Sequence, residues 1–345
     1  MNRQFPPEIV QLIVKASLKP YDIFITPFED LTTRYSILKS YALLNSIWRA
    51  FSDPELARWI EIDSEASANK FLELAAQRGG MVKEVEDLFV NSTKFDDPST
   101  LSHLLRSTPN LINLCCANCK VDTADLANLV QLRRLVLDSV EVVGSLPSPV
   151  NNCIPKLSQL RTHETTVDLT AAHFLTPAFL PQLRYLNINS YLLRPNSIEP
   201  LVKQIERLAV DVDEGEFLPS IPESLLLLSV APGRFDRRVI LSHLSVLPAF
   251  LSIDFSEDLV ADLQQEIKYA LEDILASGKT GLRVIILGQC MEDVELNALV
   301  GQCAEKGVRV EKLNEVLDFA MAFSKMEEIL AEKKRAAELS AQKMG

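Results

Sequence analysis

No uninterrupted apolar run in this chain approaches the roughly 18 to 20 residues that a membrane-spanning helix needs. Its first residues, MNRQFPPEIVQLIV, break a short apolar run at Glu8 and Gln11 and offer no small-residue cleavage site, which disfavours an export signal. The cysteines are therefore expected as reduced thiols in the cytoplasm or nucleus. Positive charge is short as well. The net charge is −12, and residues 251–320 carry 14 acids against 6 Lys or Arg, or −8 of that total. A broad nucleic-acid footprint needs clustered positive charge, so neither nucleic acid nor membrane is expected as a partner.

Mechanism-bearing motifs are equally scarce. The four histidines, at 103, 163, 173 and 243, include no H-x-x-x-H pair, and no G-x-S-x-G or G-x-G-x-x-G occurs. Gly278-Lys279-Thr280-Gly281 holds a G-K-T, but Asp273 stands where a phosphate-binding loop needs its first glycine, and a loop before a strand is the better reading. The chain is expected to be no enzyme and to hold no cofactor and no metal.

Leucine is abundant, and glycine is rare at 11 residues, which suits helices or a leucine-built repeat. The pattern L-x-x-L-x-L, with other apolar residues allowed, recurs nine times: VEDLFV from Val85, LINLCC from Leu111, LRRLVL from Leu132, LSQLRT from Leu157, LRYLNI from Leu183, IERLAV from Ile205, LLLLSV from Leu225, FLSIDF from Phe250 and LRVIIL from Leu282. All start-to-start spacings but the last fall in the range of leucine-rich repeats. Each repeat supplies one short strand with positions 1, 4 and 6 turned to the core and positions 3, 5 and 7 to the other face. One repeat cannot bury its leucines alone, so neighbours must stack. This predicts an α/β leucine-rich-repeat solenoid of about nine irregular repeats over residues 63–311, with parallel strands on the concave face and helices or loops on the convex face. Residues 257–276 read as a long helix-like insertion before the last repeat.

The register brings Arg134, Arg161, His163, Tyr185 and Arg207 to the middle of the concave sheet, where an Arg and Tyr group would meet an acidic or phosphorylated segment of a protein partner. It also decides the reading of Cys115-Cys116-x-x-Cys119. Cys116 and Cys119 fall at core positions 6 and 9, whereas Cys115 at position 5 points the opposite way and is expected to be exposed. Three thiols so divided do not converge on one ion.

Ahead of the repeats, residues 1–62 read as short helices. Pro6-Pro7 fits a helix start, and Ile9, Leu12, Ile13 and Ala16 make an apolar face. Residues 20–30 read as a loop, and helix spacing resumes through Leu38, Ala42, Leu44, Trp48 and Phe51. Phe5-Pro6-Pro7-Glu8-Ile9-Val10 followed by Leu44-Asn45-Ser46-Ile47-Trp48-Arg49 resembles the F-box family, whose motif starts Leu-Pro-x-Glu-Ile/Leu and ends apolar-Cys-x-x-Trp. Phe5 stands for the family's Leu and Asn45 for its Cys. The match by motif covers about the first 50 residues, and the pairing of F-box with leucine-rich repeats is one the family is known for.

The resemblance implies a substrate receptor of an SCF-type cullin-RING ubiquitin ligase. Phe5, Pro6, Ile9, Leu12, Leu44 and Trp48 would dock on a Skp-type adaptor, and through it a cullin, while the repeats hold the substrate. The alternative is a non-catalytic repeat scaffold or signalling adaptor without adaptor binding. Beyond a possible edge strand at 308–310, residues 312–345 read as a helix that caps the solenoid and then, past Leu330, an exposed tail.

Overall fold

A computed structural model describes residues 5–18, 29–80, 82–91, 99–144, 153–189, 200–212, 225–232, 247–253, 268–269, 271–278, 281–288, 294–313 and 319–344. Most of the expected 20–30 loop and of the 257–276 insertion, together with Lys279, Thr280 and Cys290, lie outside these residues. Two compact units are present, Met1–Leu183 and Arg184–Gly345.

The first unit opens with three helices, α1 (Pro7–Ser17), α2 (Glu29–Ala42) and α3 (Ser46–Arg58). Pro6 caps α1, its carbonyl accepting from the N–H of Ile9 and Val10 at 3.0 and 3.1 Å, and Pro7 occupies the first turn where no N–H is missed. Asn45 caps α3, its side-chain oxygen accepting from the N–H of Ile47 at 2.9 Å and of Trp48 at 3.2 Å. The residue that departs from the F-box pattern is thus a strong helix-start residue.

Strand β1 (Trp59–Ile62) follows directly and pairs in parallel with β2 (Asp87–Asn91), so the repeat sheet starts within the segment expected to be helical. Parallel pairing continues through β3 (Asn113–Ala117), β5 (Arg134–Asp138) and β7 (Gln159–His163). The register is the expected one: Asp87, Asn113, Arg134 and Gln159 lie abreast at position 3. Leu88, Leu114, Leu135 and Leu160 at position 4 are fully buried, as are the leading Leu111, Leu132 and Leu157. Burying one such side chain stabilises the fold by about 2 kcal/mol.

The backs of these repeats carry α4 (Glu65–Gln77), α5 (Ser99–Arg106) and α6 (Thr123–Ala127), and a second parallel sheet of β4 (Lys120–Asp122), β6 (Glu141–Val143) and β8 (Thr166–Val167). Leu126 and Leu129 are buried, with Leu126 in α6 and Leu129 just past its end. A bend at position 8 sends the chain from β3, β5 and β7 into this smaller sheet. Asn118, Ser139 and Glu164 occupy it with φ of 53°, 52° and 44°, in the left-handed region.

The second unit repeats the plan with β9 (Tyr185–Asn189), β10 (Arg207–Val212), β11 (Leu227–Pro232), β12 (Phe250–Ile253), β13 (Val284–Leu287) and the edge strand β14 (Arg309–Lys312), each parallel to the next. Helix α7 (Val294–Glu305) packs on β14. The repeat at Phe250 sits two residues from its expected register. Phe250 pairs with Leu227 and Val284 and so holds position 3 instead of position 1. Strand alternation has a period of two, which does not distinguish registers two residues apart.

The last helix, α8 (Phe319–Met344), lies in the segment expected to cap the solenoid. It packs on β11 and β12, across the face opposite the leucine core. Ala322, Met326 and Ile329, at i, i+4 and i+7, are completely buried. Residues 332–338 of the same helix are exposed, as expected of the chain past Leu330. Among the described residues no helix is long and apolar enough to cross a membrane.

Candidate functional site

Two surfaces collect the residues singled out from sequence. The first is the helical cluster of α1–α3. Its core is Val10, Val14, Leu38 and Trp48, with Ile13, Tyr41, Ile47 and Phe51 packed against them. The Tyr41 and Trp48 rings lie 4.9 Å apart, and the Ser17 hydroxyl meets the Tyr41 hydroxyl at 2.7 Å. The buried stripe of α1 therefore runs through Val10, Ile13 and Val14, rotated from the expected Ile9, Leu12, Ile13 and Ala16.

The rotation leaves apolar side chains in water. Phe5 is 57% exposed, Ile9 41% and Leu12 62%, and they recur at i, i+4 and i+7. Pro6 is exposed beside them. After α2, Leu44 is 60% and Leu43 79% exposed. Of the six residues that the F-box resemblance assigns to an adaptor, Trp48 alone is buried, at 9%. Leu43 belongs with the exposed group and was missed, since its helix spacing places it on no stripe of α2.

The second surface is the odd-position face of the repeat strands. In the first unit Arg134, Arg161 and His163 lie on the neighbouring strands β5 and β7, each partly exposed. His163 Nδ1 stands 2.9 Å from Asp138 Oδ1 across the β5–β7 pair. Cys115, expected to be exposed here, is buried at 1%, and burial pushes its thiol up to about 12. The reason is its neighbours: Phe89 and Val136, abreast of it at position 5, are buried too, so this part of the face is dry.

At position 3 the side-chain amide of Asn113 donates to Asp87. Asp87 is itself buried, and desolvation raises its carboxyl from 3.8 to about 6 against the opposing pull of Asn113, Arg58 and Arg134. Cys116 is sealed in the core, and its hydrogen bond with Cys119 and its burial hold its thiol well above the ordinary range. Among the described residues no group of three His, Cys, Asp or Glu is placed to hold a metal ion.

In the second unit the other two expected patch residues are engaged within the chain. Tyr185 is buried at 4%, and Arg207 Nη2 donates to Glu327 Oε1 of α8 at 2.6 Å. The flanks of α8 carry further ion pairs, Arg309 with Glu332 at 3.7 Å and Lys325 with Glu311 at 3.6 Å. At about 100° per residue, Glu327 falls on one flank of the buried stripe and Lys325 and Glu332 on the other. Beneath the helix face, Leu227, Phe250 and Val284 at position 3 and Ser229, Ser252 and Ile286 at position 5 are all buried.

No known family model matches this chain, and no curated protein does. The candidate surfaces therefore stand on their own geometry. One is an exposed apolar stripe, the other a strand face of mixed charge.

Proposed function

We propose that the chain is the substrate-recognition subunit of an SCF-type cullin-RING ubiquitin ligase, in which α1–α3 dock on a Skp-type adaptor and the repeats hold a protein substrate. The exposed group of Phe5, Ile9 and Leu12 carries this reading: α1 keeps one face in the core, offers Ile9 and Leu12 on another, and has Phe5 exposed just ahead of its start. Large apolar side chains in water are most economically explained by a partner that covers them. Pro6 and Leu44 add to the same surface class. The receptor itself performs no chemistry; ubiquitin transfer belongs to its partners. Its ligands are proteins, with neither nucleic acid nor membrane involved, and it works in the cytoplasm or nucleus.

On the substrate side, Arg134, Arg161 and His163 of β5 and β7 support recognition of an acidic or phosphorylated segment. Tyr185 and Arg207 add nothing to that surface while one is buried and the other paired with Glu327.

A second reading, a non-catalytic repeat scaffold that binds no such adaptor, draws on Trp48. The aromatic ring that the F-box resemblance gives to the adaptor instead fills the helical core. Co-purification with a Skp-type adaptor separates the two. The native chain is expected to form a complex that Ile9→Asp and Leu12→Asp abolish without loss of helicity. Failure of the native chain to form it would leave the scaffold reading.

A further inference from the structure

Helix α8 lies on the odd-position face of β11 and β12 as a ligand lies on a receptor. Among its described side chains, Ala322, Met326 and Ile329 are completely buried. The face below carries Leu227, Phe250, Val284 and Ile286 in adjacent strands, with the small Ser229 and Ser252 among them. Polar ends complete the match, Glu327 to Arg207 of β10 on one side, and Lys325 to Glu311 and Glu332 to Arg309 of β14 on the other. Such a sheet face, bare, would expose several large apolar side chains together, a feature that marks interaction sites.

The helix is also peripheral to the repeat core. The position-4 residues Leu208, Leu228, Leu251 and Ile285 bury themselves on the opposite side of the strands, so the sheet keeps its leucine core when α8 leaves. Elements that rest on a core from outside and are flanked by partly exposed ion pairs open at lower free energy than that core.

We propose that the odd-position face of β10–β14 is a helix-binding site and that α8 is its intrachain competitor. The partner it fits is an amphipathic helix of another protein with the pattern of α8: a small residue, large apolar residues four and seven positions on, and a carboxylate five positions on to meet Arg207. Occupancy by α8 lowers the apparent affinity for that partner by the fraction of time the face is covered. The proposal is independent of adaptor docking, because it involves none of α1–α3.

The probe is a fluorescent peptide of residues 319–344, titrated against the full chain and against a full-length Met326→Lys/Ile329→Lys variant whose own helix is undocked. The variant is expected to bind the peptide at least about tenfold tighter than the native chain, a difference of about 1.4 kcal/mol. A peptide carrying Glu327→Arg is expected to bind the variant more weakly and to recover when Arg207→Glu is added. A folded variant that binds no better than the native chain overturns the proposal. So does a native dimer that dissociates on Met326→Lys, since the competitor would then be a second copy's helix.

Hydrogen exchange on the native chain guards against a variant that does not fold. Amides of 322–330 are expected to exchange through a local opening, faster than those of β11 and β12. Equal protection would make α8 part of the cooperative core and overturn the proposal.

Discussion

Arg207 and Glu327 are 120 residues apart in sequence, and the guanidinium Nη2 of one meets the carboxylate Oε1 of the other at 2.6 Å. The contact fixes one flank of α8 to β10. The Glu327 side chain is 46% exposed, so water screens the pair. A double-mutant cycle on Arg207→Ala and Glu327→Ala in urea is expected to give a coupling of about 0.5–1 kcal/mol. The reversed pair, Arg207→Glu with Glu327→Arg, should regain most of what either reversal loses. Strict additivity in the cycle would show that the ion pair does not hold the helix.

Asp87 makes stability depend on pH in an unusual direction. Its carboxyl is raised from 3.8 to about 6 in the fold, chiefly by burial. The folded state thus holds the proton more tightly than the unfolded state. Its contribution is complete below about pH 4, declines as pH rises, and is lost above about pH 6. At pH 7 Asp87→Asn should stabilise the chain by on the order of 2–3 kcal/mol, an upper bound from about 1.4 kcal/mol per unit. Asn113 retains an oxygen to donate to. The gain should vanish at pH 3.5, and urea midpoints at the two pH values measure it. A variant less stable than the parent at pH 7 would contradict this.

Gly144 and Gly301 should respond oppositely to alanine. A Cβ on Gly144 would sit 2.2 Å from the Thr170 carbonyl oxygen, a backbone atom that cannot swing aside. Gly144→Ala is expected to cost about 1–3 kcal/mol. Gly301 lies within α7 with nothing within 4 Å of such a Cβ. Gly301→Ala should stabilise by about 0.5–1 kcal/mol through helix propensity. Thermal melts of the two variants suffice.

Trp48 and Leu12 divide core from surface within one helical cluster. Trp48→Ala should cost about 3–5 kcal/mol, because it empties the space between Val10, Val14 and Leu38. Leu12→Asp, at a position 62% exposed, should change stability by no more than about 0.5 kcal/mol. Loss of adaptor binding in Leu12→Asp would then report a contact, while the same loss in Trp48→Ala would report unfolding.

The thiols should separate by burial. Cys119 and Cys153 are partly exposed, whereas Cys115, Cys116 and Cys303 are buried. Brief native alkylation followed by peptide mapping should label Cys119 and Cys153 ahead of Cys115, Cys116 and Cys303. Early labelling of Cys115, whose thiol stands near 12, would show that its face opens readily.

The repeat strands were legible because their signal is local. Position 4 of LINLCC, LRRLVL and LSQLRT marks a side chain that must enter the core, and strand alternation then assigns its neighbours. The Pro6-Pro7 helix start was legible for the same reason, since a missing N–H acts within one turn. The left-handed bend at position 8 was not: Asn118 suits it, but Ser139 and Glu164 give no sign of it. They adopt it because the smaller sheet demands the same turn after β3, β5 and β7.

The sequence by itself determined the stack of parallel strands, its register over most repeats and the burial of its leucines. All follow from the short-range periodicity of apolar side chains. Only the tertiary structure decided which side of α1 faces inward, that Trp48 packs inside while Leu12 stays out, that Cys115 is dry, and that α8 covers β11 and β12. Those outcomes depend on pairings between segments far apart in the chain. An apolar stripe such as Ala322, Met326 and Ile329 states that something will cover it, but the covering surface is fixed by shape and charge that come together only in the folded molecule.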